Sequence, residues 1–360
     1  MIICDIILKK FKIDLKNSIR IKQRKIDFRQ GILVIIKNQK GQTGYGEIAP
    51  LPGVHNENFE DVSNQIKSAP VRLLGTEVNE DFTTSFNRVV KPFERMDFYP
   101  SVNFGMEMAI LSIFYARKDL NFFKDKNISK IPVNKLIIWD EIISKEYINK
   151  IINSGYRSVK IKIGYKSVEK DIHRILRLKS FLPDNISIRL DANASWNLDE
   201  ALLFFSKIGN DRIEYIEDPI KNVDDYKTFY HKTGVPIAID ENLDYFYSEC
   251  LLENEYVKAI ILKPSVLGGF YDTARLIYKL RNKNIKPILS NAFLSGLSLS
   301  VISLFAAQMK LLHYPVGLDT LGHFTNDLLE KDFPLVEDGI DLSEVFKFFN
   351  RVNLNILEDL

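Results

Sequence analysis

Residues 158–269 contain five short apolar runs that each end on charged side chains: SVKIKIG (158–164), ISIRLDANASW (186–196), IEYIEDP (213–219), IAIDENL (237–243) and AIILKPSVLGG (259–269). The steps from Lys162 to Asp191, Glu217, Asp240 and Lys263 are 29, 26, 23 and 23 residues. One strand, one helix and two loops occupy about that length. Nearly continuous β-branched runs are typical of parallel strands that are buried on both faces. The stretch therefore predicts a repeated β/α unit.

The repeat also predicts the architecture. Parallel strands with right-handed crossovers close into a barrel of about 250 residues, whose active site lies at the carboxyl ends of the strands. Because the chain has 360 residues, a second domain is required. Segments 1–15, 31–37 and 43–48 have the pattern of antiparallel strands, and helical patterns follow at 57–68, 79–91 and 103–118. This order is typical of an α+β domain.

We therefore expect an α/β protein, a TIM-type (β/α)7β barrel with an N-terminal α+β capping domain that the C-terminal segment completes. The expected domains are residues 1–128 for the capping domain, 129–322 for the barrel and 323–360 for the returning segment. Within the barrel, PVNKLII (132–138) is expected to be strand one, KPILSNA (286–292) strand seven and PVGLDT (315–320) strand eight.

Alternation along a strand indicates which side chains share a face. Lys160 and Lys162 lie on one face of their strand, and Arg189, Asp191 and Asn193 share a face of the next. The same rule pairs residues two apart at the later strand ends: Tyr215 with Glu217, Ala238 with Asp240, and Ile261 with Lys263. The charged residues are thus expected to meet at the barrel mouth.

Asp191, Glu217 and Asp240 end three successive strands, with Lys162 and Lys263 on strands that face each other across the ring. A single acid in such a position is usually a helix N-cap. Three carboxylates this close do not all stay ionised without a cation, and an all-oxygen site suits Mg²⁺ completed by water and substrate oxygens, with Mn²⁺ as the alternative.

A metal beside lysines indicates proton abstraction next to a carboxylate. The cation can take the negative charge that develops on the carboxylate oxygens, and a neutral lysine can act as the base. We expect Lys162 to be that base, with Lys160 contributing a positive field that lowers its pKa. Asn193 is a further supporting residue on the same face as Asp191.

Composition excludes several other classes. Lys and Arg number 49 against 47 Asp and Glu, so no charge excess favours nucleic acid or an anionic membrane as a partner. Cys4 and Cys250 have no metal-binding spacing and are expected to be reduced thiols. The N-terminus, MIICDIILKKFKID, predicts a strand rather than a signal peptide, so a cytoplasmic protein is expected.

Other segments are candidates for contacting the ligand. The polar, basic stretch 17–30 is expected to be a loop, either a mobile lid or a solvated connector. Residues 51–55 form a rigid turn that ends at His55, the one histidine expected near substrate. Gly268 and Gly269 open a helix, so their NH groups could meet an anionic group, although a tight turn is an equal alternative.

Taken in order, KIKIG, DANASW, EDP, DEN and KPSVLGG resemble the muconate-lactonising-type branch of the enolase superfamily over essentially the whole chain. Within it, YGEIAPLPG (45–53), PVNKLI (132–137) and GLDTLG (317–322) resemble the o-succinylbenzoate synthase family. The resemblance implies that Asp191, Glu217 and Asp240 bind Mg²⁺, that Lys162 is the base, and that Lys263 stabilises the enediolate from the opposite face. It also directs attention to a set of substrate contacts: Leu51, Pro52, Gly53, Ser290, Asn291, Gly268 and Gly269.

The implied reaction is the syn-dehydration of 2-succinyl-6-hydroxy-2,4-cyclohexadiene-1-carboxylate to o-succinylbenzoate in menaquinone biosynthesis, through a metal-stabilised enediolate. The alternatives are an N-succinylamino acid racemase or a dipeptide epimerase, which use the same two lysines, and a barrel that only binds a ligand. Dipeptide epimerases typically have Asp-x-Asp at strand eight, where this chain has Gly317-Leu318-Asp319. The chain also has Leu294 where the family often has an acid.

Overall fold

The computed structural model describes residues 1–21, 24–78, 93–117, 129–138, 142–243, 255–281, 283–337 and 339–360. The N-terminal sheet contains β1 (Ile3–Ile21), β2 (Arg24–Asn38) and β3 (Thr43–Ile48). A C-terminal strand, β14 (Leu357–Asp359), joins it in the antiparallel order β14-β1-β2-β3. The three strands that the sequence predicts are present, and β3 has the predicted bounds.

The predicted loop at 17–30 is wrong for the described residues of this stretch, because residues 17–21 belong to β1 and residues 24–30 to β2, and the two strands pair antiparallel. Its side chains alternate, with Ile19, Ile21 and Ile26 buried while Arg20 and Lys25 are exposed. The polar residues that suggested a loop therefore form the solvent face of two long strands.

The helices of this region are α1 (Phe59–Lys67), α2 (Ala69–Leu73) and α3 (Pro100–Tyr115). The predicted helix at 79–91 lies outside the described residues. Every residue of α3 from Ser101 to Tyr115 is buried, so it is a central helix rather than one with an apolar stripe. It lies against β3 at glycines: a Cβ on Gly46 would lie 1.8 Å from the carbonyl oxygen of Gly105. Only glycine permits this approach.

A second sheet is parallel and has seven strands in the order β11-β10-β9-β8-β7-β6-β5 among the described residues. The strands are β5 (Lys135–Ile137), β6 (Ser158–Lys162), β7 (Ser187–Asp191), β8 (Ile213–Glu217), β9 (Ile237–Ile239), β10 (Val257–Leu262) and β11 (Lys286–Leu289). The helices after them are α4 (Lys145–Asn153), α5 (Val168–Phe181), α6 (Leu198–Ile208), α7 (Tyr226–Thr233), α8 (Pro264–Leu267), α9 (Phe270–Leu280) and α10 (Gly296–Gln308). The predicted β/α repeat is thus present as a mixed α/β structure.

The two edges of the parallel sheet are connected through residues 315–317. Val316 makes an isolated parallel bridge to Val133, and Gly317 makes one to Ser290. The predicted eighth strand, PVGLDT, is therefore not a regular strand here but makes two single bridges, one to a residue just before β5 and one to the residue just after β11. The bridges bring the edges of the sheet together, so the sheet is curved.

The inner side of the curved sheet has its own small cluster of buried side chains, from Tyr215, Ala238, Ala259, Ile261 and Ile288. Three of these are the residues that the alternation rule places below Glu217, Asp240 and Lys263. Because side chains two apart share a face, the charged residues lie directly above this cluster, at the carboxyl ends of the strands.

The C-terminal segment includes β12 (Leu335–Val336), β13 (Gly339–Asp341) and α11 (Leu342–Phe348). With β4 (Lys130–Pro132) the two strands form a sheet in the order β12-β13-β4, while β14 pairs with β1. Single 3₁₀ turns occur at Glu94–Met96, Val223–Asp225, Leu321–His323 and Leu354–Ile356. Within the described part of the chain, no helix has the length and apolar character needed to span a membrane. The domain boundaries at 128 and 322 stay predictions.

Candidate functional site

The three predicted metal ligands stand on neighbouring strands. Asp191 is the last residue of β7 and is paired in register with Glu217, the last residue of β8. Glu217 is paired in turn with Ala238 of β9, and Asp240 follows that strand by one residue. Lys162 ends β6 opposite Asp191. The strand register therefore brings these residues to one edge, as the sequence predicts.

Lysine side chains contact each of the three acids. Lys160 Nζ lies 2.9 Å from Asp191 Oδ2 and also contacts Glu217 Oε2. Lys162 Nζ lies 3.3 Å from Asp191 Oδ2, and Lys263 Nζ lies 2.6 Å from Asp240 Oδ2. The lysines thus provide the positive charge that three buried acids require.

The electrostatics of the acids depend on burial and on one another. Burial raises the pKa of Glu217 to about 7; Lys160 opposes this rise, and the charges of Asp191 and Asp240 add to it. Burial also disfavours the charged form of Asp191, yet Lys160 and Lys162 hold its pKa below the usual value. The carboxylates therefore lie within one another's field, which makes positive charge at this edge favourable.

Their donor chemistry fits a hard divalent cation, because the set is all oxygen and two members are almost completely buried. Among the residues that the structure describes, no three acidic, histidine or cysteine side chains are arranged closely enough to hold a metal ion. Asp191 and Glu217 both contact Lys160 Nζ, whereas Asp240 contacts Lys263 Nζ.

Lys162 is held by the loop that follows β7. Its Nζ donates to Asn193 Oδ1 at 3.0 Å, and the Tyr165 hydroxyl donates to the same oxygen at 3.1 Å. Asn193 has a left-handed backbone with φ of 46°, a conformation that Asn tolerates better than most residues. Asn193 is therefore in the supporting position that the sequence suggests, whereas sequence reasoning missed Tyr165.

The expected lowering of the Lys162 pKa is wrong for this structure. Burial, which is the largest influence, and the charge of Lys160 act in the expected direction, but Asp191, Tyr165 and Glu217 together outweigh them and raise the pKa of Lys162. A cation on Asp191 would weaken one of these opposing fields and so favour the neutral amine. The protonation of Lys162 thus depends on burial and on the acidic groups beside it.

A cavity opens at this edge, between the parallel sheet and the N-terminal domain. Its charged lining includes Lys160, Lys162, Lys263, Asp191, Glu241 and Asp319, its polar lining includes Asn193, and its apolar lining includes Ile21, Leu51, Val54, Leu136 and Phe293. Of the predicted substrate contacts, Leu51, Ser290 and Asn291 line this cavity. Glu241, Asn134 and Thr320 also line it and were missed in the sequence, where no periodic signal distinguishes them.

Four other predicted contacts, Pro52, Gly53, Gly268 and Gly269, are not part of that lining. Gly269 donates its NH to the Pro264 carbonyl, and a Cβ on Gly269 would lie 2.4 Å from the carboxylate of Glu107 in α3. Both glycines have positive φ, 93° and 111°. Their placement favours the tight-turn alternative over a site for an anion.

His55 also has a structural place. Its Nδ1 accepts from the Leu51 NH at 2.9 Å, and Nε2 lies 3.1 Å from the Ser265 carbonyl oxygen, so the neutral ring donates there. Burial lowers the pKa of His55 to about 4. The ring therefore links the 51–55 turn to the residues after β10 and does not line the cavity.

The turn after β11 has no acid at position 294, where Leu294 is completely buried. A carboxylate reaches this turn from the N-terminal domain instead. Glu47 of β3 accepts from the Ser295 NH, at 3.2 and 3.3 Å to its two oxygens, and from the hydroxyls of Ser295 and Ser298. Glu47 was not predicted from the sequence. The signal that could have identified it is an acidic residue within the otherwise apolar strand TGYGEIA.

This geometry defines a class of protein. Its members have a curved parallel sheet with charged residues at the carboxyl edge, and an α+β domain covers that edge. The chain belongs to the Enolase C-terminal domain-like family, whose model matches residues 144–344. A second model, "MenC, N-terminal domain", matches residues 5–113. Membership in this superfamily supports an enzymatic function.

The relatives confirm the resemblance that the motifs indicate. An o-succinylbenzoate synthase from Vibrio cholerae is 27% identical over 332 residues, which cover 89% of this chain and 90% of that protein. The chloroplastic protein PHYLLO of Arabidopsis thaliana is 29% identical over 315 residues, and the match spans 79% of this chain but 18% of that longer protein.

The fold has well-matched solved counterparts. The structure of a dipeptide epimerase from Cytophaga hutchinsonii, complexed with Mg and the dipeptide D-Ala-L-Val, has a TM-score of 0.79 at 20% identity and covers 94% of this chain and 93% of that chain. At this identity the likeness establishes the fold but not a shared substrate.

Proposed function

We propose that this protein catalyses the syn-dehydration of 2-succinyl-6-hydroxy-2,4-cyclohexadiene-1-carboxylate to o-succinylbenzoate, in cytoplasmic menaquinone biosynthesis. The observation that carries the proposal is that Lys162 and Lys263 line one cavity from separate strands, with acids beside both ammonium groups. Relatives that are o-succinylbenzoate synthases over about nine tenths of their length support the choice of substrate.

Asp191, Glu217 and Asp240 would hold Mg²⁺, or Mn²⁺ in its place. When bound, the cation supplies positive charge for the carboxylate oxygens of the substrate as the α-proton leaves. The fit rests on the all-oxygen donor set and on the strand register that brings the three acids to one edge.

Lys162 removes the α-proton with its neutral amine and becomes an ammonium. The same Lys162 then returns that proton to the departing hydroxyl on the same face, so the C–O bond breaks and water leaves. The electrons of the C–H bond form the new C=C bond, which completes an aromatic ring. Because aromatisation makes the elimination favourable, one base is sufficient.

Lys263 has a different role in this scheme. It enters the cavity from β10, four strands away from the β6 strand that carries Lys162. A fixed ammonium there stabilises the negative charge on the substrate and can form a cation–π contact with the aromatic product. No proton transfer by Lys263 is needed.

Asp319 provides an observation against an ammonium-bearing substrate. Its Oδ2 accepts from Lys135 Nζ at 2.8 Å and from the Leu136 NH at 3.1 Å. The carboxylate is 7% exposed, so its charge is already compensated within the protein. A dipeptide epimerase needs a free carboxylate for the substrate ammonium, whereas an anionic succinyl substrate does not.

N-succinylamino acid racemisation remains a second candidate, because two lysines that reach one cavity from separate strands are also what a two-base reaction requires. The decisive assay follows o-succinylbenzoate by ultraviolet absorbance, beside exchange of the α-proton of N-succinylamino acids in D₂O. Efficient exchange without any o-succinylbenzoate would refute the lyase and leave the racemase.

The finer architecture is also part of the proposal. The seven parallel strands and the bridges at 316 and 317 form a (β/α)7β barrel of residues 129–322. Residues 1–128 form the capping domain, and residues 323–360 complete it, which is supported by the pairing of β14 with β1.

A further inference from the structure

A buried arginine of the N-terminal sheet joins the two loops that wall the apolar end of the cavity. Arg29, in β2, is 3% exposed. Its Nε donates to the Phe293 carbonyl at 3.0 Å, one terminal nitrogen donates to the Pro50 carbonyl at 3.0 Å, and the other donates to the Ala49 carbonyl at 2.5 Å. One guanidinium thus holds main-chain atoms from both sides of the cavity.

The residues next to these carbonyls line the cavity. Leu51 follows Pro50 directly, and its carbonyl accepts from the NH groups of Val54 and His55 at 3.0 Å each, so the 51–55 turn is closed. On the other side, Phe293 is itself a cavity residue and has a left-handed backbone with φ of 52°. A non-glycine residue in that conformation is strained and persists only where its surroundings hold it.

Glu47, on the neighbouring strand β3, holds the far end of the same turn through Ser295 and Ser298. It is 1% exposed, and its charge favours the charged form of Arg29 against the effect of burial. Arg29 and Glu47 therefore fix residues 293–298 from the N-terminal sheet. Neither side chain is part of the cavity lining, so neither contacts the reacting atoms.

We propose that Arg29 and Glu47 are positioning residues that set the distance between the Leu51 turn and Phe293, and thereby fit the cavity to the part of the substrate that lies away from the lysines. The planar guanidinium group, with its several N–H donors, is needed because the three carbonyls lie on two separate segments. Lysine has a single ammonium group and would satisfy fewer of them. The role is in substrate fit, while Lys162 and the acids stay in place.

The test compares Arg29→Met, Arg29→Lys and Glu47→Gln with Arg24→Met, an exposed arginine on the same strand. Arg29→Met is expected to raise KM at least about tenfold and to change kcat less than about threefold, since a displaced pocket wall weakens binding of the substrate. Arg29→Lys should recover part of the loss, and Glu47→Gln should show a smaller rise in KM. Arg24→Met should match wild type.

A merely structural role gives a different result, because loss of folded protein lowers the apparent kcat and leaves KM unchanged. That outcome, or an unchanged KM in Arg29→Met with intact folding, would overturn the proposal. If Arg29→Met does not fold, Arg29→Lys and Glu47→Gln decide by the same criterion.

The turnover readout rests on the proposed function, so a second readout is independent of it. Amide hydrogen exchange at 49–55 and 293–298 should accelerate together in Arg29→Met and not in Arg24→Met. Absence of o-succinylbenzoate formation by wild type would refute the proposed function, and the exchange experiment would still test Arg29. Equal exchange in both variants would refute the positioning role.

Discussion

The side of the cavity formed by the ends of the parallel strands, the parallel-sheet side, is lined by charged side chains that compensate one another. The side nearest the N-terminal sheet is lined by apolar side chains whose main chain is held by residues behind the cavity wall. On the first side, Lys160, Lys162 and Lys263 contact acids directly. On the second, Leu51 and Phe293 face the cavity and Arg29 binds the carbonyl of Phe293 and those just before Leu51.

This difference separates two tasks. Side chains at parallel strand ends are fixed relative to one another by the hydrogen bonds of the sheet, so they suit chemistry that requires a constant geometry. Loops such as the 51–55 turn and the turn after β11 can vary without altering those positions, so they suit the selection of a substrate. Changes on the parallel-sheet side should therefore affect the chemical step, and changes on the other side should affect binding.

The largest effect is expected for Lys162→Ala. Loss of a positioned acid or base typically costs roughly a hundred- to ten-thousandfold in rate, and Lys162 is proposed to serve as both. Steady-state formation of o-succinylbenzoate measures the loss, with metal binding checked by titration. Lys166→Ala, in the exposed part of the same loop, is the control. Near-normal turnover in Lys162→Ala would remove the proposed base.

Glu217→Gln should weaken metal binding more than about tenfold, since even supporting residues around a metal contribute that much. Chelation should abolish turnover, and Mg²⁺ should restore it in wild type at far lower concentration than in the variant. Calorimetric titration with Mg²⁺ or Mn²⁺ measures the affinity directly, and the exposed Glu60→Gln is the matched control. Equal affinities in the two variants would place the metal elsewhere.

Lys263→Arg should have a smaller effect. It retains a positive charge beside Asp240, so dehydration should persist at a reduced rate, whereas a two-base racemase needs a neutral base at this position. The comparison is the ratio of o-succinylbenzoate formation to α-proton exchange. Loss of dehydration as complete as in Lys162→Ala would show that Lys263 transfers a proton.

The sequence predicts the parallel-sheet side of the cavity well because its hydrophobic pattern is periodic. Spacing locates the strands, alternation places Glu217 above Tyr215 and Asp240 above Ala238, and the structure has both pairs on the inner side. In this sheet the hydrogen-bond register is fixed, so the position of a residue along its strand determines its position in space.

The other side could not be derived in the same way. Arg29 and Phe293 are 264 residues apart, and Glu47 and Ser295 are 248 apart, so no local pattern connects them. The sequence predicts a loop in the part of the chain that carries Arg29, because the exposed face of its strands is polar. The contrary signal is that buried Ile19 and Ile21 alternate with exposed neighbours. Contacts between segments that are far apart in the chain produce no periodic pattern in the sequence.

The smallest effect on turnover is expected for a carboxylate that supports the loop after Lys162 on the parallel-sheet side of the cavity. Asp171 of α5 is fully buried, and its Oδ2 accepts from the Gly164 NH at 2.7 Å, two residues after Lys162. Within the described residues its Oδ1 has no hydrogen-bond partner. Burial raises the pKa of Asp171 to about 6, although the Gly164 bond and the charges of Arg174 and Lys166 oppose the rise.

Because the pKa of Asp171 is higher in the folded protein than in the unfolded chain, folding becomes less favourable as the carboxyl group ionises. The contribution to stability is fully present below the unfolded pKa, near 4, and is lost as the pH rises through about 6, at a total cost of roughly 3 kcal/mol. Asp171→Asn keeps an oxygen for the Gly164 NH and removes the ionisation, so it should lose less stability than wild type over this range. Urea unfolding of wild type and variant at pH 4.5 and pH 7.5 measures the difference, with the exposed Asp184→Asn as control. Turnover of Asp171→Asn should stay near wild type, since the loop keeps its acceptor. Parallel pH profiles of stability in wild type and Asp171→Asn would show that Asp171 is ionised in the fold at little cost, and that the loop after Lys162 is held in some other way.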